Sequence, residues 1–285
     1  MKQQLEDLVA VCVGVFRAYG LVANIPHASA GANGAIQTQS GSNMKGKRFS
    51  IITPTLNPGP KLEETIKSVL AQKQDLFEYI IIDGGSTAET LNIIKRYAGQ
   101  IDWLSESDES VYEAINKGIE MASGDYLYFL GAGDLLRKDV LEKIGKIIPV
   151  KHLTFLYGNV YHLVDKREHR GTFDEARIAR GNICHQAIFY ERCVFDVLGK
   201  YDLRYKVLAD HAFNMKCFGD ERIQKFYVDE VIADYEGDGI SVKEKDLNFI
   251  KDLPRLIREN LGLKRYLLNR LINARYKLFH SDYSS

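Results

Sequence analysis

From Phe49 onward the chain switches between two hydrophobic rhythms. Short apolar runs of strand length, FSIITPTL (49–56), EYIIIDGGS (78–86), IDWLSE (101–106) and YLYFL (126–130), alternate with segments whose apolar residues recur every three or four positions. These periodic segments run from Pro60 to Gln72, Ala88 to Tyr97 and Val111 to Ala122. In the last of them Val111, Ile115, Ile119 and Ala122 form one apolar stripe, as in a helix laid on a sheet. Pro60 suits a first helical turn, where its fixed φ is already helical and its missing donor is no loss. The predicted order is β-α-β-α-β-α-β, an α/β class with a mostly parallel central sheet and helices on both faces. The unbroken apolar run of Tyr126–Leu130 fits a strand buried on both sides.

Open parallel sheets bind ligands beyond the carboxyl ends of their strands. Those ends read TPTLN (53–57), DGGS (83–86), ESD (106–108) and GAGD (131–134), so four successive strand ends carry carboxylates, hydroxyls or glycines. The set favours a polar ligand with a phosphate or metal component. Asp134 closes a turn with almost no side-chain bulk, and a hard cation such as Mg²⁺ is commonly held by one or two carboxylates together with substrate phosphates. The plainer alternative is that Asp134 caps a helix beginning near Lys138. Gly131-Ala132-Gly133 opens like the dinucleotide fingerprint, but Leu136 stands at the third glycine position and the match fails.

The 285 residues allow one large domain, or one domain with appendages. With 38 basic and 38 acidic residues there is no global field favouring nucleic acid, and no nucleic-acid partner is expected. Cys12, Cys184, Cys193 and Cys217 form no C-x-x-C pair, which points to reduced thiols and a cytoplasmic setting. The apolar run Leu8–Phe16 falls short of the ~20 residues of a spanning helix, and Glu6 and Asp7 argue against a signal peptide. The small, polar, glycine-rich stretch 28–42 reads as a linker. The expected division is an N-terminal extension, partly disordered (1–46), the α/β domain (47–241) and a C-terminal helical segment (242–285). Within 251–280 eight Lys or Arg face only Asp252 and Glu259, interspersed with Leu256, Leu263, Leu267, Leu271, Leu278 and Phe279. Such a basic amphipathic helix either lies on an anionic membrane or packs on the domain with its cations in water.

Taken in order, SIITPTLN (50–57), IIDGGSTAET (81–90), SESDESVYEAINKGIEMASGDYLYFLGAGD (105–134), CHQAIFY (184–190) and LADHAF (208–213) resemble family 2 inverting glycosyltransferases of GT-A fold. These enzymes use nucleotide-diphospho-sugars to build bacterial surface polysaccharides. The resemblance runs from about Phe49 to about Ser241. It implies that Thr53, Pro54 and Asn57 lie near the base and ribose, and that Asp83 accepts an N–H of a pyrimidine, hence a UDP-linked donor. Asp108 and the Asn116–Lys117 pair would contact the donor, with Lys117 set against phosphate. Gly133 and Asp134 would form the diphosphate turn, Asp134 binding Mg²⁺ or Mn²⁺, with Gly133 where an acid often stands. Asp210 would be the catalytic base, His185 and Gln186 would floor the sugar or acceptor pocket, and Tyr235–Ser241 would act as a lid.

Plainer roles stand beside these: Asp83 closing a turn, Asn116 and Lys117 on a solvated helix face, Asp210 as a helix cap, His185 as a core histidine. The implied activity moves a hexosyl or N-acetylhexosaminyl unit to a hydroxyl of a saccharide or lipid-linked acceptor. Its implied location is cytoplasmic, with peripheral contact at the inner face of the membrane. The alternative is a non-catalytic nucleotide-sugar-binding module. A sugar nucleotidyltransferase is disfavoured, because its arginine-bearing glycine-rich loop near the first strand is missing.

Overall fold

The computed structural model describes residues 48–148, 153–237 and 244–280, all within one compact unit, Met44–Ser285. The N-terminal extension and residues 238–241 of the expected lid lie outside the described residues. The first seven elements are β1 (Phe49–Thr55), α1 (Lys61–Leu70), β2 (Phe77–Asp83), α2 (Ala88–Arg96), β3 (Asp102–Ser105), α3 (Val111–Met121) and β4 (Tyr126–Phe129). They follow the predicted order. Their strands lie in the order β3-β2-β1-β4, every pair parallel, and the registers Thr55↔Asp83 and Asp83↔Ser105 bring the carboxyl ends level.

Alternate residues of β1 and β2 enter two different cores. Ile52, Ile80 and Ile82 join one, while Phe49, Ile51, Tyr79 and Ile81 join the other, so helices cover both faces. Helix α3 starts at Ser110, whose hydroxyl accepts the Glu113 N–H at 3.3 Å. Its buried face is Tyr112, Ala114, Ile115, Gly118 and Ile119; Val111 is only partly buried, so the predicted stripe is rotated slightly. A Cβ on Gly118 would lie 2.5 Å from Ile52 Cγ2, and its absence lets the helix sit close on β1.

After β4 come β5 (Leu135–Leu136), α4 (Val140–Ile147), β6 (Thr154–His162), β7 (Arg167–His169), α5 (Glu175–Ile178) and a 3-10 turn (His185–Ala187). They are followed by β8 (Ile188–Glu191), α6 (Cys193–Leu198), α7 (Ala209–Gly219), β9 (Gln224–Tyr235) and α8 (Leu247–His280). The sheet continues β4-β8-β6-β9-β5, with β7 on β6, giving nine strands. Strand β8 is antiparallel to both neighbours and β5 is antiparallel to β9, yet most paired residues are in parallel register. Asp134 caps no helix: it precedes β5, and α4 begins after Asp139.

Helix α7 is buried almost all round. The expected tail helix is two helices joined at Gly262 (φ 85°, ψ 163°). Before the break Phe249, Leu256, Ile257 and Leu261 are buried in the core shared with α7, so Leu256 is core rather than outer surface. Beyond it Leu263, Leu267 and Leu271 are 60%, 50% and 67% exposed, one turn apart on one face. The side chains of Leu278 and Phe279 lie outside the described residues. Among the described residues no helix is long and apolar enough to cross a membrane.

Candidate functional site

Asp83 ends β2 with no exposed surface. Its Oδ2 accepts the Ser86 N–H at 3.0 Å and the Ser105 hydroxyl at 2.7 Å, so the plainer turn-closing role is present. Its Oδ1 is buried without a hydrogen-bond partner, as are Asp108 Oδ2 and Thr55 Oγ1. Gly84 links them: its N–H donates to the Thr55 carbonyl, and a Cβ there would lie 3.3 Å from Asp108 Oδ2. A buried polar atom left unpaired costs about 1–3 kcal/mol, which a ligand with matching groups relieves.

Thr53 does not reach this spot. Its side chain is fully buried and pairs with Tyr79 Oη at 3.1 Å, because it stands inside the strand, where that face of the sheet is still covered by the core. Thr55, two residues on, has the available hydroxyl. Pro54 is buried in the strand. Asn57 is left-handed (φ 49°), and it clamps the first loop to the second: its N–H donates to Ser86 Oγ at 2.8 Å and its Oδ1 accepts the Thr87 N–H at 2.9 Å.

Lys117 pairs with Asp108, with Glu106 at 2.7 Å and with Glu113 at 3.5 Å. Burial works against its charge, but Asp108 and Glu106 outweigh it and hold the ammonium above its ordinary pKa. Burial pushes the Asp108 carboxyl above the usual range, and Lys117 opposes it. Lys117 is thus matched by three carboxylates and helps to position Asp108. Asn116 is spent on structure as well: its Nδ2 donates to the Tyr201 carbonyl at 2.9 Å and its Oδ1 accepts the Tyr201 N–H at 3.1 Å.

Asp134 is 5% exposed, and its oxygens accept the Gln186 Nε2–H at 2.6 Å and the Glu236 N–H at 2.9 Å. Gly131 lies beneath it, where a Cβ would be 2.7 Å from Asp134 Oδ2. The Leu135↔Asp234 register, continued two residues, sets Gly133 opposite Glu236. Gly133 has φ 114°, and a Cβ there would meet Glu236 Oε2 at 2.6 Å. A second carboxylate therefore occupies the space a side chain at 133 would fill; it pairs with Lys61. Two carboxylates beside a turn of small residues fit a hard divalent cation. A separate His162–Asp165–His169 cluster lies on the β6–β7 hairpin. There the Asp165 N–H already donates to His162 Nδ1, and Arg167 lies 3.4 Å from the Asp165 carboxylate.

Asp210 stands in the first turn of α7, but the cap position is Leu208 and no side chain caps the helix. The Asp210 carboxylate accepts Tyr112 Oη–H at 2.8 Å on Oδ1 and Asn182 Nδ2–H at 2.7 Å on Oδ2. The preceding loop is held by Asp246, whose Oδ2 accepts the N–H groups of Val207 and Leu208 at 2.9 and 3.1 Å. His185 stacks on Phe129 and meets Tyr201 Oη at 2.9 Å; burial lowers its pKa, favouring the neutral ring. Sequence reasoning missed Tyr112, Asn182 and Asp246. Tyr112 adjoins the apolar stripe of α3 and Asn182 precedes CHQ by two residues, weak signals of proximity.

These contacts form a continuous path. Gln186 touches Asp134, Asn182 on the same segment touches Asp210, Asp210 touches Tyr112 on α3, and α3 carries Lys117 to Asp108 beside Gly84. Asp83, Asp108 and Asp134 thus stand at or beyond the carboxyl ends of β2, β3 and β4, and Asp210 is linked to Asp108 and Asp134 by these contacts.

In this sheet acids stand at the ends of three of the first four strands, Asp83 closing β2, Asp108 after β3 and Asp134 after β4. Residues 50–192 match the family described as Glycosyl transferase family 2. A Mycobacterium bovis protein named PGL/p-HBAD biosynthesis glycosyltransferase is 38% identical over 235 residues, 80% of this chain and 92% of that protein. Staphylococcus aureus poly(ribitol-phosphate) beta-N-acetylglucosaminyltransferase TarP is 29% identical over 213 residues, 67% of this chain and 64% of TarP. S. aureus TarS 1–349 in complex with UDP-GlcNAc aligns with TM-score 0.60 at 19% identity, over 75% of this chain and 66% of that one. Mannosyltransferase PcManGT from Pyrobaculum calidifontis, in complex with GDP-Man and Mn²⁺, aligns with TM-score 0.54 at 14% identity, over 82% of this chain and 81% of that one. The expected GT-A-like fold is therefore shown. The chain belongs to glycosyl transferase family 2 and is a glycosyltransferase.

Proposed function

We propose that the chain transfers a sugar, with inversion, from a UDP-linked donor to a hydroxyl of a saccharide or lipid-linked acceptor in surface-glycan synthesis. The observation that carries this is the buried, unpartnered Oδ1 of Asp83 beside Asp108, joined through α3 to the buried carboxylate of Asp210. The ring N–H of uracil supplies the donor that Asp83 lacks, a charge-assisted bond. Thr55 and Asp108 suit the ribose hydroxyls, and Asn57 holds the two loops around the base. A UDP-GlcNAc complex of TarS and the N-acetylglucosaminyl activity named for TarP favour an N-acetylhexosamine.

Asp134, steadied by Gln186 and with Glu236 beside it, would hold Mg²⁺ or Mn²⁺. When bound, such an ion supplies Lewis-acid neutralisation of the diphosphate. Asp210 takes the proton of the acceptor hydroxyl, and His185 and Gln186 line the floor between the two carboxylates. The exposed row Leu263, Leu267 and Leu271, with Lys264 and Arg270 among it, supports peripheral contact with an anionic inner membrane face, where lipid-linked acceptors are reached from the cytoplasm.

Asp210→Asn is the direct test. Transfer falls by about 10²- to 10⁴-fold, the range for loss of a general base, while donor affinity is kept. Unchanged turnover removes Asp210 from the chemistry. A wild-type protein that binds UDP-sugars yet neither transfers nor hydrolyses them would favour the binding-module alternative.

A further inference from the structure

Tyr112 Oη lies 2.8 Å from Asp210 Oδ1 and 2.8 Å from the Val207 carbonyl oxygen. A phenol has a single hydrogen, so it satisfies only one of these acceptors at a time. Burial, then the adjacent Asp210 charge, hold the Tyr112 phenol well above its ordinary pKa, and the hydrogen stays on it. The other carboxylate oxygen has a different neighbour. Asn182 Nδ2 donates to Oδ2, Asn182 Oδ1 accepts Asn214 Nδ2–H at 2.8 Å, and Asn214 Oδ1 accepts Tyr190 Oη–H at 2.7 Å. Each amide is oriented by the next. Asn182 cannot turn an acceptor toward Asp210 without breaking its bonds to both Asp210 and Asn214.

We infer that Asp210 receives the acceptor's proton on Oδ1, and that Tyr112 is the positioning residue that selects this oxygen. The inference rests on Asp210 being the base. While Asp210 is a carboxylate, the Tyr112 hydroxyl donates its hydrogen bond to Oδ1. In the transfer the acceptor O–H bond breaks and its electron pair forms the new bond to the anomeric carbon. The bond to the nucleotide diphosphate leaves with its own pair, and the proton comes to Oδ1. The Tyr112 hydrogen then turns to the Val207 carbonyl, and Oη becomes an acceptor for the carboxyl hydrogen. Both protonation states are fully hydrogen-bonded. A proton on Oδ2 would instead weaken the bond from the Asn182 N–H, which, unlike the Tyr112 hydroxyl, has no second acceptor to turn to.

Tyr112→Phe tests this, because it removes the hydroxyl and keeps the ring that packs on Tyr201 at 5.3 Å between centroids. At saturating donor and acceptor kcat falls about 10- to 100-fold, the size expected when a hydrogen bond to a charged group is lost, while the Kd for UDP and for the UDP-sugar stays within about twofold. If Tyr112→Phe does not fold, 2,3-difluorotyrosine installed at position 112 keeps the shape and weakens the oxygen as an acceptor. It is expected to lower kcat about severalfold at unchanged donor affinity. Unchanged kcat, or a loss of donor affinity that accounts for the loss of rate, overturns the inference. Asp210→Asn measured alongside separates the two levels. If it is as active as wild type, the base reading falls and Tyr112 with it; if it is inactive while Tyr112→Phe matches wild type, only the role of Tyr112 falls.

Discussion

Asp83→Asn separates the two jobs held by one carboxylate. Its Oδ2 accepts from Ser86 N–H and Ser105 Oγ–H, and the asparagine carbonyl can keep both bonds. The amide nitrogen then replaces Oδ1, the buried oxygen without a partner. Stability is expected to stay level or rise, since a buried charge is removed while one unpartnered polar atom replaces another. Binding of UDP weakens instead, because a bond from uracil to a charged acceptor, about 1.5–3 kcal/mol, becomes a clash between two donors. At about 1.4 kcal/mol per decade this is a 10- to 100-fold loss of affinity. Calorimetric titration with UDP and with CDP gives the measurement. The corresponding ring nitrogen of cytosine is an acceptor, so wild type prefers UDP and the variant narrows or reverses that preference. If Asp83→Asn binds UDP as wild type does, or loses stability and both nucleotides together, Asp83 only closes the turn.

Gly219→Ala places a Cβ 1.8 Å from the Asn260 backbone oxygen. Overpacking against rigid backbone should lower the unfolding free energy by about 2–3 kcal/mol, read by denaturant titration, and an unchanged midpoint would show that α7 and α8 do not meet there. Burial alone would raise the Glu78 carboxyl, but bonds from Ser123, Ser50 and Gly124 outweigh it and hold it below its ordinary value of 4.5. A depressed folded pKa means stability that is present above pH 4.5 and lost as pH falls through the lower folded value. Glu78→Gln should therefore flatten the melting-temperature profile in that window; equal acid sensitivity in both proteins would count against it. Asp134→Asn should weaken Mn²⁺ binding in the presence of UDP by about tenfold or more, followed by Mn²⁺ electron spin resonance. Retained affinity would put the ion elsewhere. Replacing Leu263, Leu267 and Leu271 by serine should reduce co-sedimentation with anionic vesicles and leave the melting temperature unchanged, since these side chains are exposed. Undiminished sedimentation would assign membrane contact to another surface.

Much of the first half of the fold was legible because hydrophobic period is local information. A run such as Tyr126–Leu130 can be buried on both sides only as a central strand, and the parallel topology then sends Asp83 and Asp134 to the same end of the sheet. Side-chain direction at the strand ends was harder. Thr53 and Thr55 share one face of the strand, and only the position of the sheet's end makes one a core hydroxyl and the other a site hydroxyl. Lys117 illustrates the same limit. Its position in α3 was plain, but its three carboxylate partners include residues brought in by the β3 loop.

The chain alone therefore determined the alternation of elements, the two-sided burial of the sheet and the acidic residues at its carboxyl edge. Tertiary structure decided the partners: Tyr112 with Asp210 across 98 positions, Gln186 with Asp134 across 52, Glu236 with Asp134 across 102. It also decided, through one left-handed glycine at 262, which leucines of the last helix enter the core and which remain outside. The physical reason is range. Periodicity records which side of an element avoids water, whereas a hydrogen bond between distant side chains depends on register and docking angle, set by all the packing in between.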